Sequence, residues 1–250
     1  MISAERKDFD LAVVLEHLQL ATQSIPSDIP TNEFDTDVKN SNSDGSIGEQ
    51  ETGYLEIIAG PGVADSCGGV SVGEYLKAFT ELTRFFSLTG PIFKFVARDL
   101  TKRIAIVQAF LDSDPQHYES FASIVEHELA NGRARNKASA TRNILRLHWA
   151  LEFIVEFMDK LKDANQSAKA STLVYEVYGR TLSVHHPWIT RQLAYFAVFS
   201  LPTIRKLVDI MCKQDYEEVK GLLALVVQTG RVILQYTSTL YASHNLSSIS

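Results

Sequence analysis

Apolar positions along this chain recur every three or four residues far more often than every second one, which is the period of helices and not of strands. The first such run covers residues 8–23, where Leu11, Val14, Leu15 and Leu18 fall on one face. Pro26 and Pro30 end it. From residue 71 onward the helical period is almost continuous. Ser71 is placed to cap a helix over 71–86, with Glu74 three positions later to complete a capping box. Thr89-Gly90-Pro91 opens a helix over 91–111, and Asp114-Pro115 opens another over 114–131. Gly132 begins a basic turn containing Arg133, Arg135 and Lys137. Further helices are predicted over 139–162, 168–185, 187–200 and 202–213, and Asp215 caps a last one over 215–241. The expected fold class is all-α, with about eight helices.

Between the first helix and residue 71 the pattern stops. Residues 27–53 are rich in Asp, Asn, Ser and Glu and nearly free of aromatics, so they cannot bury enough apolar surface to order themselves. A glycine-rich stretch over 60–69 follows; it is not a phosphate-cradling loop, because no Lys-Ser/Thr follows its last glycine. The expected organisation is therefore an N-terminal helix within 1–24, a flexible acidic and Gly-rich insertion over 25–70, and a main domain over 71–250.

Bulk properties narrow the function by exclusion. Hydrophobic residues make up 45% of the 250 positions and charged residues 22%, enough for a core. The net charge of −6 gives no overall footprint for nucleic acid. The two cysteines, Cys67 and Cys212, show no metal-ligand spacing and read as free thiols. The first residues lack the apolar stretch of a signal peptide, and no apolar run approaches the roughly 20 residues that span a bilayer. The cytosol is the expected compartment. No nucleophile–base set, metal-ligand cluster or nucleotide loop is recognisable, so neither an enzyme nor a bound cofactor is expected.

Two helices carry charge where core is expected. On the helix from Pro91, the residues Ile92, Phe95, Val96, Asp99, Arg103, Ile106 and Phe110 form one stripe, with Asp99 and Arg103 in its middle. Buried charges need partners or a ligand; equally, Asp and Arg four apart form an ordinary salt bridge on a solvated helix. On the long helix, Arg142 and Arg146 share a face with Trp149, Phe153 and Phe157. Two arginines four apart repel one another, and they gain if an anion lies between them, since guanidinium groups suit bidentate phosphate binding. A charged end on a greasy stripe has the outline of a lipid site, though two solvated surface arginines give the same sequence. His185-His186-Pro187-Trp188 marks a helix break where a histidine could donate to a ligand or simply cap. His148, between Leu147 and Trp149, reads as structural.

Taken in order, Phe93-Lys-Phe-Val-Ala-Arg-Asp99-Leu-Thr-Lys-Arg103, Thr141-Arg142-Asn-Ile-Leu-Arg146-Leu-His-Trp-Ala-Leu-Glu-Phe153 and His185-His186-Pro187-Trp188 resemble the glycolipid transfer protein superfamily over residues 72–245. The resemblance implies a two-layer helical sandwich that holds one lipid, headgroup in a surface cavity and chains between the layers. It implies that Asp99 accepts from the amide N–H of a sphingolipid and that His186 donates to the amide carbonyl. Members that carry sugar headgroups have a tryptophan where this chain has Arg146 and an asparagine where it has Arg103. Arg103, Arg142 and Arg146 instead resemble the cationic cluster of the ceramide-1-phosphate branch. That branch often has Lys at the first of these positions, so Arg103 departs from it while keeping the charge.

The resemblance further implies Phe85, Phe93, Phe95, Phe153 and Phe157 as candidates for the chain tunnel, and Trp188 as a membrane contact, at a depth that suits an indole. The expected partners are thus a sphingolipid, ceramide-1-phosphate foremost, and transiently a membrane surface. Transfer of a neutral glycolipid, or a lipid sensor that reports to a protein partner, remain alternatives at this stage. The 25–70 insertion departs from the compact members of the superfamily, which have a shorter connection there.

Overall fold

The computed structural model describes residues 9–26, 68–89, 93–211 and 216–249. Among these residues the regular structure is helical, apart from the isolated bridges Ser71–Ser120 and Lys169–Thr203. There are ten α-helices in the described residues: α1 Leu11–Thr22, α2 Val72–Thr89, α3 Lys94–Ser113, α4 Pro115–Tyr118, α5 Phe121–Ala130, α6 Ala140–Lys162, α7 Ala170–Arg180, α8 Trp188–Val198, α9 Ile204–Met211 and α10 Tyr216–Ser243. A single 3₁₀ turn, Leu182–His185, joins α7 to α8. Most of the expected acidic and Gly-rich insertion lies outside the described residues. Its last described residues are packed, however, with Val70 fully buried and the Val70 carbonyl accepting from the Phe121 amide.

Two elements depart from the sequence expectation. The helix expected over 114–131 is two helices, broken at Glu119–Ser120. Ser120 caps α5, its hydroxyl accepting from the Ser123 amide while the Ser123 hydroxyl accepts from the Ser120 amide. The capping box expected of Ser71 and Glu74 does not form. The Ser71 amide donates to the Ala21 carbonyl, and the Glu74 carboxylate takes His17 at 2.7 Å and Lys77 at 2.7 Å. Tertiary partners have taken the groups that a local motif would have used.

α1 packs on α2 and α10. α6 packs on α10 along one side and on α3 and α7 along the other, while α2 also meets α3 and α9. The helices thus form two layers around one core, with α6 central to it and 15 of its side chains buried. Close approach of α6 and α10 depends on Gly230: a Cβ there would come within 2.5 Å of Val155 Cγ2. α5 ends in Gly132, whose φ of +63° is the left-handed cap that only glycine adopts without cost.

The start of α6 decides where its arginines point. Ser139 caps it through the Arg142 amide, and the buried Glu128 carboxylate accepts from the Ala140 and Thr141 amides at 2.8 and 2.9 Å. A carboxylate at a helix N-terminus satisfies otherwise orphaned donors and matches the helix dipole. The α6 phase is therefore fixed, with Arg142 and Arg146 leading the face that continues as Trp149, Phe153 and Phe157.

Candidate functional site

A cavity of about 360 Å³ opens between α2, α3, α6, α7, α8 and the 3₁₀ turn. Its apolar end is lined by Phe85, Phe93, Phe95, Phe153 and Phe157, all five of the aromatic positions expected at a chain site. Four of them are buried; Phe95 is 40% exposed and lies at the rim. The polar end is lined by Asp99, Arg103, Arg146, Trp149, His185 and His186. One volume therefore joins a cationic mouth to a greasy interior.

The stripe on α3 is not core. The fully buried positions of α3 are Ala97, Leu100 and Val107, while Asp99 is 54% exposed at the side chain and Ile92 lies outside the described residues. The reason is electrostatic: Asp99 pairs with the less exposed Arg103 and keeps half of its own side chain in water. Arg103 Nε donates to Asp99 Oδ2 and its terminal nitrogen to Oδ1, both at 2.8 Å. This bidentate clasp uses only some of the guanidinium donors.

Arg146 rises from α6 beside this clasp. Burial, then the Arg103 and Arg142 charges, lowers the proton affinity of its guanidinium, and Asp99 partly offsets them. Its Cζ stands 5.7 Å from the Trp149 ring centroid, and the His185 ring stacks on the same indole at 3.8 Å and 4°. Arg142 is absent from the lining of the cavity, to which Arg103 and Arg146 belong. It lies one turn earlier on α6, half-buried, and acts on Arg146 through its charge.

His186 lines the cavity with its Nδ1 2.9 Å from the Tyr178 hydroxyl. Burial pulls the imidazole below its ordinary value; Asp99 pushes it up, while His185, Arg103 and Arg146 pull it further down. Burial and Tyr195 push the Tyr178 phenol up to about 12. At neutral pH this is a neutral imidazole hydrogen-bonded to a protonated phenol. Tyr178 was not legible as a site residue: it precedes His186 by eight positions, about 12 Å apart along a continuous helix, and meets it only across the 3₁₀ turn.

Trp188 is 66% exposed and not packed in the core. It begins a larger feature. Ile189, Leu193 and Phe196 follow it along the outer face of α8, with Phe199 just beyond and Val184 just before, and Phe196 is 79% exposed. This helix turns an apolar face outward. Such a contiguous patch on a protein surface marks a site of contact. The basic turn is partly spent on structure, since Arg135 donates to the Asn245 carbonyl at 2.9 Å. His148 is buried and structural, its Nε2 3.5 Å from the Ser238 hydroxyl.

Residues 70–213 match the family model described as glycolipid transfer protein. The chain belongs to the glycolipid transfer protein family. Within that family, a ceramide-1-phosphate transfer protein of Xenopus tropicalis is 35% identical over 184 residues, covering 71% of this chain and 86% of the relative. The Homo sapiens ceramide-1-phosphate transfer protein is 28% identical over 209 residues, covering 79% and 97%. The fold superposes on the apo form of the mouse ceramide-1-phosphate transfer protein with a TM-score of 0.75 at 26% identity, over 96% of this chain and 99% of that one. It superposes on the human protein in complex with 12:0 ceramide-1-phosphate with a TM-score of 0.67 at 29% identity, over 74% and 92%. The family is one of lipid transfer proteins. Among the described residues no helix is long and apolar enough to cross a membrane.

Proposed function

We propose that this chain binds a phosphate-headed sphingolipid, ceramide-1-phosphate foremost, and carries it between membranes without changing it chemically. The observation that carries this reading is the charge at the cavity mouth. Two guanidiniums, Arg103 and Arg146, line the cavity with one carboxylate, Asp99, and a third, Arg142, adds its positive charge from one turn away on α6, so cations outnumber the carboxylate beside an apolar cavity. A phosphomonoester, with close to two negative charges at neutral pH, balances that excess, whereas a neutral sugar would leave it uncompensated. Relatives that transfer ceramide-1-phosphate, and a similar fold holding that lipid, support the same assignment.

Asp99 and His186 read the amide. Asp99 keeps Arg103 and still has lone pairs for an N–H. The Tyr178 phenol donates to His186 Nδ1, which leaves the hydrogen on Nε2 for the amide carbonyl. The phenylalanines hold the chains, and Arg142 strengthens the anion site at one remove. The outward face of α8, beginning at Trp188, docks on the membrane as a peripheral contact on its cytosolic side. Residues 25–70 form an insertion within the lipid-transfer domain.

Transfer of fluorescent ceramide-1-phosphate between vesicles, run beside galactosylceramide, tests this. Transfer of the phosphate lipid alone is the expected result; transfer of the glycolipid, or of neither, rejects it.

A further inference from the structure

Away from the lipid cavity, the corner between α3, α4 and α5 gathers three ligating side chains from two helices. Asp114 terminates α3 and precedes α4, His117 lies on α4, and His127 comes from α5. Their donor atoms all lie within 4.8 Å of one another. His117 Nδ1 is already 2.9 Å from both Asp114 oxygens. The His117 and His127 ring centroids are 4.4 Å apart with the planes tilted by 33°, and the buried Tyr118 meets His127 edge-on at 5.5 Å. His127 Nε2 has only a long contact of 3.4 Å with Asn131, whose amide makes its short bond elsewhere, to the His127 carbonyl at 2.8 Å.

The geometry points to a binding site for a divalent transition metal of the zinc class, held by Asp114, His117 and His127 with one position left to water. Two imidazoles and a carboxylate are the donors that zinc, cobalt and nickel take in preference to magnesium or calcium. Zinc with nitrogen and oxygen ligands at about 2.0–2.2 Å sets tetrahedral donors roughly 3.3 Å apart. The closure required is therefore about 1.5 Å at most, within reach of side-chain rotation alone, because Asp114 and His117 are partly exposed. The site would staple α4 to α5 at a corner that joins the two arginine-bearing helices. Asp114 ends α3, which carries Asp99 and Arg103. His127 adjoins Glu128, whose carboxylate holds the start of α6 and thereby the placement of Arg142 and Arg146.

The whole chain, stripped with chelator and dialysed, is titrated with Zn²⁺ by calorimetry, and with Co²⁺ by visible absorption. The expected result is one equivalent bound at micromolar concentration or below, with a tetrahedral Co²⁺ spectrum, a rise in melting temperature and no response to Mg²⁺. His117→Ala and Asp114→Asn, both at partly exposed positions, each weaken it by more than about tenfold with unchanged circular dichroism. No uptake by the wild type overturns the proposal. So does uptake that survives both variants, which would place the metal at His185–His186 or the cysteines instead. If His127→Ala folds poorly, the His117 and Asp114 variants decide the matter.

Discussion

Replacing Arg146 by leucine separates binding from folding. Arg146 lies beside like charge: burial, Arg103 and Arg142 all disfavour its charged form, and Asp99 favours it. Removing the cation relieves that repulsion and forfeits a cation–π contact with Trp149 at 5.7 Å, worth about 0.5–1 kcal/mol. The two effects oppose one another, so the melting temperature of Arg146→Leu should lie close to that of the wild type. With lipid bound, the balance differs. The phosphate loses a half-buried, charge-assisted partner, a loss of about 2–5 kcal/mol, or roughly 30- to 5,000-fold in affinity. Equilibrium binding of ceramide-1-phosphate from vesicles and its rate of transfer are the readouts, with circular dichroism and thermal melting as the folding control. A well-folded Arg146→Leu protein that binds and transfers within threefold of wild type would refute the headgroup assignment.

Three other outcomes follow from the same structure. Tyr178→Phe removes the donor to His186 Nδ1 and should weaken ceramide-1-phosphate binding about two- to tenfold, yet leave phosphatidic acid, which has the phosphate but no amide, unaffected; ¹⁵N chemical shifts of His186 should report a mixture of tautomers, and an equal loss for both lipids would count against tautomer control. Trp188→Ala combined with Phe196→Ala should lower vesicle association by at least about 2 kcal/mol, some thirtyfold, with no loss of stability, because both side chains face outward; unchanged sedimentation with vesicles contradicts the docking role. Burial first and His185 second pull the His148 imidazole down to about 4, so the unfolded chain takes up its proton before the folded one does. That contribution to stability is complete above about pH 6.5 and fades as pH falls toward about 4, a loss of about 3 kcal/mol. Urea denaturation at the two ends of this range should show a smaller loss for His148→Gln, and parallel curves would disprove a buried neutral imidazole.

The helices were legible because their apolar faces run for many turns, and Arg142 and Arg146 stood out because they share a face of one helix at four-residue spacing. What escaped the sequence was decided by partners distant in the chain. Glu74 follows Ser71 as a capping box requires, but His17, 57 positions away, holds its carboxylate. The break at Ser120 is capped by Ser123 and not by Glu or Gln, a weaker local signal, and is pinned from outside by the bridge to Ser71. Tyr178 and His186 meet only because a 3₁₀ turn folds one back upon the other. The stripe on α3 shows a further limit: periodicity identified the face that carries Asp99, but not whether that face met the core or the mouth of a cavity. The sequence likewise predicted a helix over 187–200 and singled out Trp188, but not the outward-facing Ile189, Leu193 and Phe196 that follow it.

His186 and Trp188 are two residues apart, with only Pro187 between them. An extended link of that length spans about 7 Å, and proline removes most of its freedom. In the proposed function, the group that reads the amide and the group that meets the bilayer are thus fixed to one short ruler. Once the indole rests at the interface, the mouth of the cavity stands at the depth where headgroups already lie. Cargo can then pass from bilayer to protein by moving sideways, with no excursion of its chains through water.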